Sequence, residues 1–279
     1  MALRNSYATR ASFLRWVTPQ NIDADIIDDQ VIDSILEATS RYIDGQTHRK
    51  FYPRVETRYF DVPGTRELEI DGDLLAVTTL TNGNDATIAS TEYNLFPRNA
   101  TPYLGLKLIA SSSYSWASDS SGNTEWVIDV LGEWGYHDDY ADNGWTLAGT
   151  LGAAISDTTT KAFTATAGHS LVAGQIIKIG SEIQIIDSIS STGTTITPIA
   201  RGDNGSTAAT HDNATSIYIW NPQPEIEQAT KLIAQSIYRR FGHPNQSDES
   251  IVTASGVVIT PKDVPGLAAV IIKTYQRLT

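Results

Sequence analysis

Helix-type patterns stand at the two ends of this chain, and strand-type patterns fill the span between them. That alternation constrains the architecture more than any single motif. In residues 28–45, Val31, Ile32, Ile35, Leu36, Thr39, Tyr42 and Ile43 recur with the 3.6-residue period of an amphipathic helix. Asp28 or Asp25 is placed to cap it, and Asp29 suits the positive first turn. Gly45 is the expected stop, with Pro53 an outer limit. A shorter helix is expected over residues 9–17, with Phe13, Leu14, Trp16 and Val17 available to pack. Towards the other end, Pro224 opens a helix with Glu225 and Glu227 in its first turn. Its expected stripe is Ile226, Ala229, Ile233, Ile237 and Phe241; Arg239 and Arg240 occupy the last turn and Gly242 ends it. After a loop with His243 and Pro244, a last helix is expected from about Asp263, with the stripe Leu267, Ile271, Tyr275 and Leu278.

Between these ends the period changes. Residues 55–135 hold short β-branched or aromatic segments, such as VETRYFDV, LEI, LLAVTTLTNG, YNLFP and EWVIDVLGEW, punctuated by Gly, Pro, Asn and Asp. They predict an antiparallel sheet or small sandwich of about five or six strands, with residues 111–123 as a polar loop or exposed hairpin. Residues 149–220 are dominated by Thr, Ser, Ala, Gly and Ile. There QIIKIGSEIQIID places two alternating strands around Gly180 and Ser181, a two-residue turn of the primed kind. The expected class is therefore α+β: a small helical bundle packed on an antiparallel β portion, with a separate inserted all-β module, barrel or sandwich. Residues 1–142 and 221–279 would form the core and 143–220 the insertion, whose two ends must then lie close in space.

At 279 residues with 41% hydrophobic side chains, the chain can bury a sizeable core. It contains no cysteine, so disulfides, thiolate nucleophiles and cysteine-ligated zinc are excluded. A formal charge of −12 argues against sequence-specific DNA binding, which needs a basic surface. No apolar run approaches the ~20 residues of a membrane span, and MALRNSYATR lacks the apolar stretch of a secretory signal, so a soluble protein made in a cytosol is expected.

Several short patterns look like chemistry and are better read as structure. Arg201-Gly202-Asp203 spells an adhesion tripeptide, but Gly202, Asn204 and Gly205 make RGDNG strong turn chemistry between two strands. His211 is expected to hold that loop by hydrogen bonds. His48, His137, His169, His211 and His243 lack metal-ligand spacing, and Gly168-His169-Ser170 is not a hydrolase nucleophile elbow. Asp203, Asn204 and Asp212 do not have the spacing of a calcium loop. Trp134, Tyr136, Tyr140, Trp145 and Trp220 could stack on a glycan, but a domain seam accounts for them better. No catalytic, cofactor or metal residues are assigned, and no enzymatic activity is expected.

Six segments carry a family resemblance. DDQVIDSILEATSRYIDGQTHRKFYP (28–53) resembles the opening helix of head–tail connector, or adaptor, proteins of tailed bacteriophages. LLAVTTLTNG (74–83), TEYNLFPRNATPYLGLKL (91–108) and VLGEWGY (130–136) resemble its β portion. PEIEQATKLIAQSIYRR (224–240) and PKDVPGLAAVIIKTYQRL (261–278) resemble its two closing helices. The segments occur in the family's order and span about residues 7–136 and 223–278. In simpler members the strand end leads almost directly into the closing helix. Here the Ser/Thr-rich region intervenes, and its RGDNGSTAATH resembles a short β segment recurrent in phage structural proteins.

The resemblance implies a non-enzymatic virion protein: a ring, dodecameric in the family, docked under the portal protein, with a stopper or tail-terminator protein on its other side. DNA would pass through the lumen without sequence-specific binding, eased by acidic residues facing it. The protein would sit in the neck of the virion and in the host cytoplasm during assembly, without a membrane partner. Lys273, Tyr275, Arg277 and Leu278 are the expected portal contacts; the competing reading packs Tyr275 and Leu278 on the preceding helix. The inserted region is expected to project outward, so that a short linker could replace it and leave a foldable core. Two alternatives remain at this point: a stopper or tail-completion ring, and a virion-borne glycan-binding or adhesion module.

Overall fold

The computed structural model describes residues 3–18, 28–242, 251–252, 258–259 and 264–277. The protein is a mixed α/β molecule with two larger antiparallel sheets and few helices. Helix α1 (Arg10–Val17) is capped by Thr9, whose side chain accepts from the Ser12 amide. Helix α2 (Asp29–Thr47) is capped by Asp28, which accepts from the Gln30 amide at 2.7 Å. The helix runs past Gly45 and stops at His48, which takes the left-handed conformation at φ 54°. Gly45 is thus not the stop: within a helix a glycine costs only about 1 kcal/mol relative to alanine, and packing of Ile43 and Thr47 carries the last turn through. Tyr42, placed on the apolar stripe by its spacing, is exposed.

Helix α3 (Pro224–Gly242) begins at the expected proline. Ile226, Ala229 and Ile233 are buried and Ile237 partly so; the side chain of Phe241 lies outside the described residues. Helix α4 (Gly266–Tyr275) buries Ala268, Ile271 and Ile272, leaving Leu267 exposed against expectation. Its buried face follows i, i+3, i+4 from Ala268 rather than the stripe through Leu267. Asp263 and Leu278 lie outside the described residues. The helices of the two ends pack on one another, α2 against both α3 and α4. Phe13 of α1 meets Tyr238 of α3 edge-on at 5.6 Å.

The first sheet contains β1 (Arg54–Phe60), β2 (Glu67–Thr81), β3 (Tyr93–Phe96), β4 (Tyr103–Leu108) and β5 (Ile128–Trp134), in the order β1-β5-β2-β4-β3. LEI and LLAVTTLT are one strand, not two. Its register with β4 breaks between Glu69 and Leu74, and from Leu74, which pairs with Tyr103 of β4 and Trp134 of β5, the strand runs on along β5. Strand alternation sends neighbouring leucines to opposite faces. Leu74 enters the cluster of the sheet itself, with Leu106, Val130 and Trp134, while Leu75 enters the cluster shared with the helices. Residues 111–123 are the expected polar loop.

The second sheet contains β6 (Trp145–Thr150), β7 (Phe163–Thr164), β8 (Ile176–Ile179), β9 (Glu182–Ile189), β10 (Thr195–Pro198) and β11 (Ser216–Trp220), in the order β6-β11-β8-β9-β10-β7. A short hairpin, β12 (Ile251–Val252) with β13 (Val258–Ile259), precedes α4. Gly180 and Ser181 make the turn between β8 and β9, with Gly180 at φ 59° and Ile179 opposite Glu182. A single bridge between Leu151 and Ala165 brings the two ends of the second sheet together, but the sheet is not closed as a barrel.

Strand alternation gives this second sheet two apolar faces. Ile177, Ile179, Ile186, Ile196 and Ile217 form its own cluster with Leu151 and Phe163. Ile176, Ile183, Ile185 and Trp220 point the other way, into one cluster with Tyr7, Ile43, Phe51, Ile226 and Ile233. Trp145 and Trp220, at the two ends of this region, are register partners. The region therefore does not project freely. One of its faces completes the core that the helices share.

Candidate functional site

The C-terminal segment was the expected contact surface, and its geometry begins with α4. Ala268, Ile271 and Ile272 bury one side of the helix. On the other, Leu267 is 54% and Val270 63% exposed, one helical turn apart, with Lys273 exposed beyond them. The helix is thus apolar on both faces, one packed and one open. Its first seven residues, GLAAVII, hold no polar side chain, and Lys273 and Thr274 supply the polar end.

Tyr275 and Arg277 are engaged within the chain. The Tyr275 ring meets Phe51 edge-on at 5.7 Å and Tyr136 at 5.5 Å. Its hydroxyl donates to Glu225 Oε2 at 3.1 Å, and its carbonyl accepts from Arg49 Nε at 2.9 Å. Burial, reinforced by the Glu225 carboxylate, raises the Tyr275 phenol above its usual range, so it remains a neutral donor. The Tyr275 ring thus packs on Phe51 and Tyr136, and its hydroxyl reaches α3 through Glu225. The Arg277 amide donates to the Thr47 carbonyl at 2.9 Å, satisfying a free acceptor at the end of α2, and its guanidinium meets Asp71 at 2.9 Å. Of the four expected contacts, Lys273 is open to solvent, Tyr275 and Arg277 are tied down, and Leu278 lies outside the described residues.

RGDNG is a turn built around a buried carboxylate. Glu182, fully buried, accepts both arms of the Arg201 fork, at 2.7 Å and 2.9 Å. It also accepts the amides of Gly202 and Ala209, at 3.0 Å and 3.2 Å, and lies 2.8 Å from His211 Nε2. Burial alone would raise the Glu182 carboxyl, but the Arg201 and His211 hydrogen bonds outweigh it and hold it at about 2. Arg201 donates its remaining N–H groups to the carbonyls of Asp157, Thr160 and Ala209. A guanidinium so enclosed is not offered to a receptor. Asp203 and Asn204 face the N-terminal segment, meeting Arg4 at 3.3 Å and Asn5 at 2.9 Å. Glu182 went unnoticed in sequence because a lone Glu at a hairpin turn is ordinarily a solvated residue.

The aromatic residues flanking residues 143–220 form a seam. Trp220 donates Nε1–H to the Phe51 carbonyl at 2.9 Å and meets Trp145 edge-on at 5.2 Å. Trp145 in turn donates to Glu133 at 2.6 Å and carries Lys178 over its ring at 4.3 Å. Trp134 is fully buried and donates to the Glu56 carbonyl. These side chains pack on one another and on Lys178 rather than presenting free ring faces at the seam. His137, buried beside Trp220, has its imidazole pushed down by desolvation.

No protein-family model matches the chain, and no curated protein matches it.

Proposed function

We propose that this protein is a structural subunit of the neck of a tailed bacteriophage, forming a ring that joins the portal of the head to the tail and lets DNA pass through its lumen. In this reading a small helical bundle packs on the first β portion, and residues 143–220 are an insertion that lies against that core. The observation that carries the proposal is the two-sidedness of α4. One face seals α2 and α3, while Leu267 and Val270 stay open on the other, followed by the exposed Lys273 and Thr274. An apolar strip on an ordered terminal helix is what a partner subunit covers. The order of the six connector-like segments supplies the kind of partner.

A closed ring needs two different patches on each subunit, because its contacts are head-to-tail. The α4 face is one. A second is the cross-strand pair of Leu147 and Tyr218, both exposed on the outer side of the second sheet. The stopper or tail-terminator protein would meet the end of the ring away from the portal. The glycan-binding alternative is weakened at the seam, where Trp220 meets Trp145 edge-on and Lys178 lies over the Trp145 ring.

The test is the copy number of this chain relative to portal protein in purified tailed particles. Equimolar amounts support a ring matched to the portal. Half as many copies point to the stopper or tail-completion alternative. Absence from the particle overturns the structural reading.

A further inference from the structure

The chain carries 20 Lys and Arg against 32 Asp and Glu, yet four arginines and a lysine line one cleft of about 380 Å³ at the C-terminal end of α2. Arg49 and Lys50 come from the loop after α2, Arg54 and Arg58 from β1, and Arg277 from the C-terminal segment. Two of the guanidinium groups are fixed before any ligand arrives. Arg49 lies over the Tyr136 ring at 4.5 Å and is paired with Asp73. Arg58 lies over the Trp134 ring at 3.9 Å and across Gly72, where a β-carbon would come within 1.9 Å of its Nη1. Only a glycine leaves that space.

Three aspartates also line the cleft. Asp44 pairs with Lys50 and Asp73 with Arg49, so the mismatch between donors and acceptors lies with the other three arginines. Arg54 and Arg58 share one carboxylate, Glu56, at 3.2 Å and 2.7 Å. The buried Nε of Arg54 has no acceptor. Arg58 and Arg277 share one residue, Asp71, Arg58 through its carbonyl at 3.0 Å and Arg277 through its carboxylate at 2.9 Å. That carboxylate sits on a side chain 95% exposed, at the mouth of the cleft, where an ion pair is weak and replaceable. Arg277 alone pairs with the exposed Asp71 carboxylate, while Arg54 and Arg58 share Glu56, so three guanidinium groups from two elements are served by two carboxylates. A carboxylate serves one fork; a tetrahedral oxyanion with three or four acceptor oxygens serves several.

We propose that this cleft binds a phosphate group, with Arg54, Arg58 and Arg277 donating to its oxygens and the Asp71 carboxylate as the internal stand-in that the phosphate displaces. The site is independent of the ring reading. The phosphate comes either from free phosphate or from the sugar–phosphate backbone of nucleic acid. With a formal charge of −12 over the whole chain, the second source would be held at this point rather than along a basic surface.

The experiment follows the arginine Nε–H resonances of the full-length protein by NMR at low ionic strength. Inorganic phosphate is titrated first, then a short single-stranded oligonucleotide. Saturable shifts are expected, weakened about tenfold by Arg277→Gln, as for loss of one charge-assisted hydrogen bond. The same shifts are expected to saturate at lower phosphate in Asp71→Asn, which removes the competing carboxylate. A cluster that only braces the fold would not bind more tightly when a carboxylate is lost, so that gain separates the two roles. Arg277→Gln keeps its backbone bond to Thr47 and leaves an exposed partner, so the variant folds. Saturation by the oligonucleotide, competed by phosphate, assigns the backbone as source; saturation by phosphate alone assigns the free anion. Absence of saturation with both probes, binding unchanged in Arg277→Gln, or weaker binding in Asp71→Asn overturns the site.

Discussion

Arg201 grips Glu182 with both arms of its guanidinium, and neither side chain reaches solvent to any extent. A pair this enclosed is costly to break on one side, because the survivor is left charged and desolvated. Removing one partner of such a pair costs about 3–5 kcal/mol. Arg201→Ala should therefore lower Tm by roughly 10 °C in a domain of this size, read by calorimetry. An adhesion motif would behave oppositely, with stability intact and cell attachment lost.

The same carboxylate sets an acid limit. Glu182 titrates at about 2 in the folded chain, below the ordinary glutamate value of 4.5. A carboxyl depressed on folding stabilises the protein above its unfolded pKa, and that contribution falls away as pH drops from about 4.5 towards 2. The difference corresponds to about 3 kcal/mol at neutral pH. Urea midpoints across this range should fall steeply for the native chain. Glu182→Gln should be less stable at neutral pH and show a flatter acid slope; an identical slope would remove Glu182 from the acid transition.

Trp220 predicts how the two sheets unfold. Its ring lies in the cluster containing Phe51, Ile226 and Ile233, and its indole N–H bonds the Phe51 carbonyl. Trp220→Ala should cost about 3–5 kcal/mol by cavity formation, and Trp220→Phe about 1–2 kcal/mol for the lost hydrogen bond and area. Replacing residues 143–220 with a linker would also strip Ile176, Ile183 and Ile185 from Tyr7 and Ile43. The shortened chain should bind a hydrophobic dye and lose near-UV circular dichroism. A sharp, cooperative melt of that chain would show instead that the helices and first sheet stand alone.

What sequence reveals here follows from how local each cause is. The cap at Asp28, the start of α3 at Pro224 and the turn at Gly180 depend on a few neighbouring residues, and each lies where its local chemistry puts it. The end of α2 does not. It needs a left-handed residue, and His48 adopts that conformation although Gly45 is the better local candidate. The buried face of α4 departs from the expected stripe because nearly every position of GLAAVII could be core, and periodicity has no contrast to work on. The arginines of the cleft lie at 49, 54, 58 and 277, a set that only tertiary folding gathers.

The exposed strip of α4 yields the sharpest separation of stability from assembly. Leu267 and Val270 are more than half exposed, so Leu267→Asp with Val270→Asp should change stability by no more than about 1 kcal/mol, the usual scale for two surface sites. Ile271→Asp, one residue away and buried, should unfold the C-terminal helix outright, since a carboxylate there has no partner. If the strip is a subunit or portal contact, the double variant stays folded by circular dichroism yet is missing from assembled particles, because a charge at the centre of an apolar contact must be desolvated. Particles that incorporate the double variant at the native level would show that the strip is not covered on assembly and would move the contact to the face carrying Leu147 and Tyr218.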